Sequence, residues 1–211
     1  MRKIILGLSL FLLAGCAKDD GVRYAGFEMG QLQGGILTTD QQVRLTVADN
    51  PAGYDLQTDR RIMARYQALS AGNISLTELW ETVTLIPSAD APGLVTDDPV
   101  RLDDAWFSGG YLNIGLRYEG SDPDLHRFPL TFAVEAGKMM LRLWHDNRES
   151  TPSDDVRHVY LCYPLQAITD AYRKQGAADA KRIPVVLSWQ GYDDTGQGSP
   201  TLLRQEGNYR P

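Results

Sequence analysis

The sequence predicts an all-β protein, a small barrel followed by an antiparallel β-sandwich, behind a cleaved leader. Three observations carry this. Short apolar/polar alternations recur along the chain, turn-forming residues separate them, and Pro and acidic residues cluster at residues 87–99. Alternation with period two marks half-buried strands, because successive side chains of a strand face opposite ways. Regularly spaced short strands argue for a barrel or sandwich.

The first fifteen residues read as a leader. Met1-Arg2-Lys3 is followed by an apolar run at residues 4–13 and by Ala14-Gly15-Cys16. A basic start, an apolar stretch and small residues before a cleavage point make a signal peptide. The run is too short to cross a hydrocarbon core of ~30 Å. A Cys directly after Leu13-Ala14-Gly15 resembles the bacterial lipobox, which implies that Cys16 is lipidated and becomes the new N-terminus. One acyl chain binds membranes marginally and two or more hold stably, so the membrane is an expected partner through this anchor. Residues 16–21 then form a tether. Its Lys18-Asp19-Asp20 resembles the export signal of surface-exposed lipoproteins in some anaerobic Gram-negative bacteria, with a solvated tether as the alternative. The expected location is the cell envelope, at the outer membrane.

Composition bounds the function. Apolar residues make up 43% and charged residues 23% of 211, as in a globular protein, and the net charge is −6. Cleavage removes Arg2 and Lys3 and makes the balance more acidic. The mature chain has no run of basic residues, which disfavours nucleic acid and anionic lipid surfaces as partners. With Cys16 acylated, Cys162 is left without an intramolecular partner, and stability must come from core burial.

Residues 22–88 are the expected barrel. Residues 43–47 and 62–66 alternate cleanly, residues 79–85 more loosely, and residues 27–36 read as a strand bent by glycine. A unit this small buries only about 60% of its unfolded surface, so it should lean on its neighbour. Trp80 and Trp106 are the candidates for that contact. After the linker, residues 97–211 are the expected sandwich. Gly109-Gly110 between apolar runs signals a hairpin. Further strands are expected at residues 127–134, 139–144, 156–163, 185–192 and 201–204, with a short helix at 166–175.

The run from Asp104 through Trp106, Gly109-Gly110, Tyr111 and Asn113 to Ile114, then His126, then Leu141 to Asn147, resembles the NigD-like lipoproteins. The resemblance implies an OB-type barrel followed by a β-sandwich behind a lipobox. The family's name links it to a bacteriocin gene cluster, hence to immunity, and implies no catalytic activity. Two places depart from the family pattern: Asp146 stands between His145 and Asn147, and Thr58-Asp59-Arg60-Arg61 replaces an Asp-Gly signature.

No residue pattern demands catalysis, a metal or a cofactor. His126, His145 and His158 fall on separate expected strands without metal-ligand spacing, and are read as strand residues, His145 orienting a turn through Asp146 or Asn147. Cys162 and His158 are four residues apart on one strand, roughly 13 Å, too far for proton transfer. Cys162 is therefore expected to be a buried, unreactive core thiol. The acid pairs Asp97-Asp98, Asp103-Asp104, Asp154-Asp155 and Asp193-Asp194 lack the alternating spacing of a calcium loop. Trp80, Trp106, Trp144 and Trp189 with several tyrosines fill cores, or present a platform to a protein or glycan. The leading expectation is a non-enzymatic envelope lipoprotein with a binding or scaffolding role, its ligand unspecified. The alternative is a glycan-acting hydrolase with carboxylates in a cleft between the two units.

Overall fold

The computed structural model describes residues 25–57, 59–90, 93–94, 96–149, 153–175, 181–192 and 199–211. The leader, Cys16, the tether and the Asp193-Asp194 pair lie outside them.

The chain is all-β with one helix. Strands β1 (Ala25–Gln33), β2 (Ile36–Thr39), β3 (Arg44–Asp49), β4 (Arg60–Ser70) and β5 (Asn73–Thr84) come first. β1, β2 and β3 form a meander, β4 lies between β1 and β5, and β3 pairs in parallel with β5. That last pairing closes a five-stranded barrel of OB topology. Residues 27–36 are thus a hairpin rather than one bent strand. Gly34 and Gly35, at φ 55 and 77, reverse the chain between β1 and β2. Alternation sends Leu32, Leu37, Ile62, Ala64, Ile74 and Leu76 into the barrel, where they form its core.

The second half supplies β6 (Arg101–Ser108), β7 (Tyr111–Glu119), β8 (His126–Arg127), β9 (Leu130–Glu135), β10 (Lys138–Leu143), β11 (Asp146–Asn147), β12 (Val156–Pro164), β13 (Ile183–Gly191) and β14 (Thr201–Tyr209). β12, β7 and β6 form one sandwich layer, and β14, β13, β10 and β9 the other. Most pairings are antiparallel, whereas β10 with β13 and β5 with β12 are parallel. Leu112, Ile114, Leu116, Leu141, Leu161 and Tyr163 belong to the core between the layers. Helix α1 (Gln166–Lys174) buries Ile168 and Tyr172 against that core, and its last turn carries Arg173 and Lys174, which suit the negative end of the helix dipole.

β5 belongs to both units. Its first part pairs with β3 and β4, and its last residues, Thr82, Val83 and Thr84, pair with Tyr160, Leu161 and Cys162 of β12. The barrel wall and one sandwich layer are therefore one continuous eight-stranded sheet.

The proline-rich segment is not a free linker. Leu85 N–H donates to the Cys162 carbonyl at 3.0 Å, Ser88 exchanges two backbone bonds with Leu130 and Phe132, and Val100 N–H donates to Gln190 at 3.0 Å. Its described residues thus touch both sandwich layers, Leu85 on β12 and Ser88 and Val100 on β9 and β13.

Candidate functional site

The joint between barrel and sandwich has its own small core. Met29 of β1, Met63 of β4 and Cys162 of β12 are buried together, and Trp80 and Trp106 pack against them, as expected of those two tryptophans. Met29 and Met63 are register partners on the outer face of the barrel, opposite Leu32 and Ile62, which face in. β12 alternates likewise, with His158, Tyr160 and Cys162 toward the joint, and Leu161 and Tyr163 in the sandwich core.

Beside this core lies a cavity of about 560 Å³, within the usual size of a ligand site. The barrel contributes Phe27, Glu28 and Met29 from β1, Met63 from β4, and Asp40 from the turn after β2; the sandwich contributes Asp103, Asp104 and Trp106 from β6 with His158 and Tyr160 from β12. Phe27 is 52% exposed and meets Trp80 edge-on at 5.5 Å.

One end of the cavity is set by a buried polar network. Arg61 Nη1 donates to Asp40 Oδ1 at 2.7 Å and Nη2 to Asp40 Oδ2 at 2.6 Å. Nη2 also donates to Asn113 Oδ1 of β7 at 3.0 Å, and the guanidinium lies 4.1 Å from the centre of the Tyr111 ring. Ser108 Oγ donates to Asp40 Oδ2, and Asn113 Nδ2 donates to Ser108 Oγ at 2.9 Å. Burial works against the charge on Arg61, but the Asp40 carboxylate outweighs it and holds the guanidinium more firmly protonated than usual. This network grips the β6–β7 hairpin. Gly109 and Gly110 have φ of 56 and 81, as the hairpin requires. A Cβ on Gly109 would stand 2.4 Å from Asp40 Oδ1, whereas one on Gly110 would meet nothing.

The carboxylates of the cavity differ in freedom. Asp103 is held by Arg117, with Nε and Nη2 on Oδ1 at 2.9 and 2.6 Å, and His158 Nε2 stands 3.5 Å from its other oxygen. Asp40 is engaged as above. Among the described residues Asp104 accepts the Ala105 N–H, and Glu28, whose strand partner Ala64 is in the barrel core, accepts the Tyr66 hydroxyl at 3.3 Å. That hydroxyl is pushed up to about 12 by burial and by Glu28.

Two of the three histidines converge, which corrects their reading as separate strand residues. His126 Nδ1 and His145 Nε2 are 2.8 Å apart, and His126 Nε2 lies 3.3 Å from Glu149 Oε1. Both rings are buried, with Phe128 stacked on His145 at 4.8 Å and Tyr118 against His126. With Glu149 ionised and both rings neutral, His145 Nε2–H donates to His126, and His126 Nε2–H donates to Glu149. His145 Nδ1 then remains a buried acceptor without a partner. Burial and the neighbouring His126 lower the His145 pKa to about 4. His158 is on the other side of the sheet joint, against Tyr160 and Asp103.

Cys162 is buried, and burial raises its thiol pKa. Among the described residues no three His, Cys, Asp or Glu groups come together as a metal cage, and no helix is long and apolar enough to cross a membrane. Asp40 was not singled out by sequence, and Arg61 and Asn113 were marked there only by the family resemblance and a departure from it, not as partners. The available signal was Met63, an apolar residue between two arginines on the face that a free barrel would turn to water.

Comparisons with known proteins agree with this architecture. The model of the NigD-like C-terminal beta sandwich domain matches residues 83–194, beginning where β5 enters the sandwich. The crystal structure of a NigD-like immunity protein from Bacteroides caccae is 23% identical, with 92% of this chain and 99% of that one covered and a TM-score of 0.65. A candidate toxin-related protein from Parabacteroides distasonis is 15% identical over 89% and 94%, also at 0.65. A candidate lipoprotein from Bacteroides fragilis is 11% identical over 87% and 96%, at 0.60. No curated protein sequence matches the chain. At these identities the solved structures establish the fold, and the domain model, which spans more than half of the sequence, establishes the kinship: the chain belongs to the NigD-like family.

Proposed function

We propose that this is a lipid-anchored protein of the cell envelope, without catalytic activity of its own, whose cavity between barrel and sandwich holds a ligand. The observation that carries the reading is the cavity: its two walls belong to separate units, yet a continuous sheet and the buried hydrogen bonds of Arg61 to Asn113 and of Ser108 to Asp40 fix them together. A site so preformed loses little freedom when filled, which favours binding. The lipobox at Cys16 supports the anchor, and a lipoprotein and an immunity protein among the structural neighbours fit an envelope role. Fold alone says little about function, so the site bears the argument. Attachment to the outer membrane, with exposure at the surface through Lys18-Asp19-Asp20, completes the proposal.

The test is Cys16→Ala with radiolabelled palmitate, detergent phase separation and protease treatment of whole cells. The expected result is an unlabelled precursor that keeps its leader. A mature, membrane-retained Cys16→Ala protein refutes the anchor.

Four carboxylates around one cleft favour a second reading, a glycan hydrolase. Such an enzyme needs one carboxyl group able to hold a proton. Asp40 and Asp103 are clasped by arginines, which leaves Asp104 and, turned toward Tyr66, Glu28. Hydrolysis of envelope or dietary glycans abolished by Glu28→Gln or Asp104→Asn would establish it.

A further inference from the structure

We infer that β14 is a dimerisation edge, on which a second copy of this chain lays its own β14 antiparallel, so that two four-stranded layers join into one sheet. The ends of the sheets are the first argument. An end strand offers unpaired backbone groups to any other strand, and proteins ordinarily cover, bend or shorten it. β3 closes on β5 within the barrel. β6 has a register shift between Leu102 and Asp104, the mark of a bulge. β9 is covered by Ser88, which bonds Leu130 and Phe132. β14 ends the second layer with none of these devices. Its nine residues contain no proline and pair with β13 in unbroken register, from Thr201 opposite Gly191 to Tyr209 opposite Ile183. Among the described residues no backbone bond reaches its outer edge.

The side chains are the second argument, because they match their own reversed order. In an antiparallel pair centred on Gln205, Arg204 stands opposite Glu206 of the second copy, Leu203 opposite Gly207, and Gln205 opposite itself. Arg204 and Glu206 are exposed on the solvent face. Arg204 forms no ion pair among the described residues, and Glu206 reaches Lys138 at 3.4 Å in an exposed contact worth little. Opposite charges directly across two strands support the pairing, and like charges oppose it. A slip of two residues, which keeps the same faces together, would set Arg204 against Arg204 or Glu206 against Glu206. The charges therefore select the centred register. On the inner face Leu203 packs against the sandwich core, and alternation puts Gln205 and Gly207 on the same side. A Cβ on Gly207 would meet nothing, which leaves room for Leu203 of the second copy. Gln205 is half-buried, and its amide has no partner among the described residues. An amide both donates and accepts, so two Gln205 side chains on the axis satisfy each other.

The experiment uses the chain without its leader, carrying Cys16→Ser, in analytical ultracentrifugation across a range of concentrations. The expected result is a monomer–dimer equilibrium. Arg204→Glu alone and Glu206→Arg alone set like charges against each other at both ends of the seam. Each should weaken the dimer by about tenfold or more, with far-ultraviolet circular dichroism unchanged. Arg204→Glu combined with Glu206→Arg restores opposite pairs and should recover most of the parent affinity. Gln205→Cys lies on the axis and should give a disulfide-linked dimer on mild oxidation, with buried Cys162 taking no part. Asn208→Cys, roughly 20 Å from its own copy in that register, should not. A strictly monomeric chain leaves the edge to a foreign strand and overturns the inference. So does a dimer indifferent to both charge reversals, a double variant as weak as the single ones, or cross-linking through Asn208→Cys rather than Gln205→Cys.

Discussion

Arg61 of the barrel and Asn113 of the sandwich meet at 3.0 Å, the guanidinium donating to the side-chain carbonyl. The contact bridges 52 residues of chain, and it is buried. Asp40 locks the same guanidinium at two points, so one arginine determines how barrel, turn and hairpin fit.

Removing one partner should therefore be severe. Asp40→Ala leaves a buried guanidinium without its counter-charge and should cost about 3–5 kcal/mol in denaturant unfolding. Arg61→Met combined with Asp40→Leu replaces the pair by apolar volume and should recover most of that loss. A double variant as unstable as Asp40→Ala alone would contradict this account.

The two hairpin glycines should respond differently. Gly110→Ala meets only the backbone penalty of a positive φ, about 1–2 kcal/mol. Gly109→Ala adds a collision with the Asp40 carboxylate, which stands 2.4 Å from the new Cβ, and should destabilise more and displace Asp40 from Arg61. Equal losses from thermal melts of the two variants would rule out the close approach.

Acid should weaken the fold through His145. The unfolded ring takes a proton near 6.5, and the native ring only near 4. Between these values the unfolded chain holds the extra proton, so stability is complete above about pH 6.5 and falls as the pH drops toward 4. The loss should be on the order of 3 kcal/mol. His145→Phe should flatten that slope in pH-dependent unfolding; an unchanged slope would place the titration elsewhere.

Cys162 should react slowly in the Cys16→Ser background. Burial raises its pKa and leaves little thiolate at neutral pH. Aromatic disulfide reagents should label it at the rate of unfolding, and at once in denaturant. Rapid labelling of the native protein would reopen a nucleophilic role.

Much of the fold could be read from local pattern. The alternation at residues 43–47 and 62–66 became β3 and β4, residues 166–175 became α1, and Gly109-Gly110 turned where a hairpin needs it. Trp80 and Trp106 found the joint because small units share apolar surface. What escaped was polar and distant. Arg61 reads as a solvated strand residue until Asp40 and Asn113 are brought to it by barrel closure. His126 and His145 lie 19 residues apart on short strands whose pairing no periodicity encodes. The segment between Leu85 and Val100 carries prolines that look like a linker, yet Leu85, Ser88 and Val100 donate to strands of the sandwich.

The sharing of β5 also has a meaning in time. An exported chain emerges across the membrane from its N-terminal end, so the barrel's strands begin to fold before the later ones arrive. The end of β5, however, has its neighbour in Tyr160, Leu161 and Cys162, which emerge long afterward. Until then Thr82 to Thr84 is a bare strand edge, the kind of template on which foreign strands pair. The nascent protein thus passes through an interval of vulnerability that ends only when β12 arrives, and any factor that shields it must act on that edge.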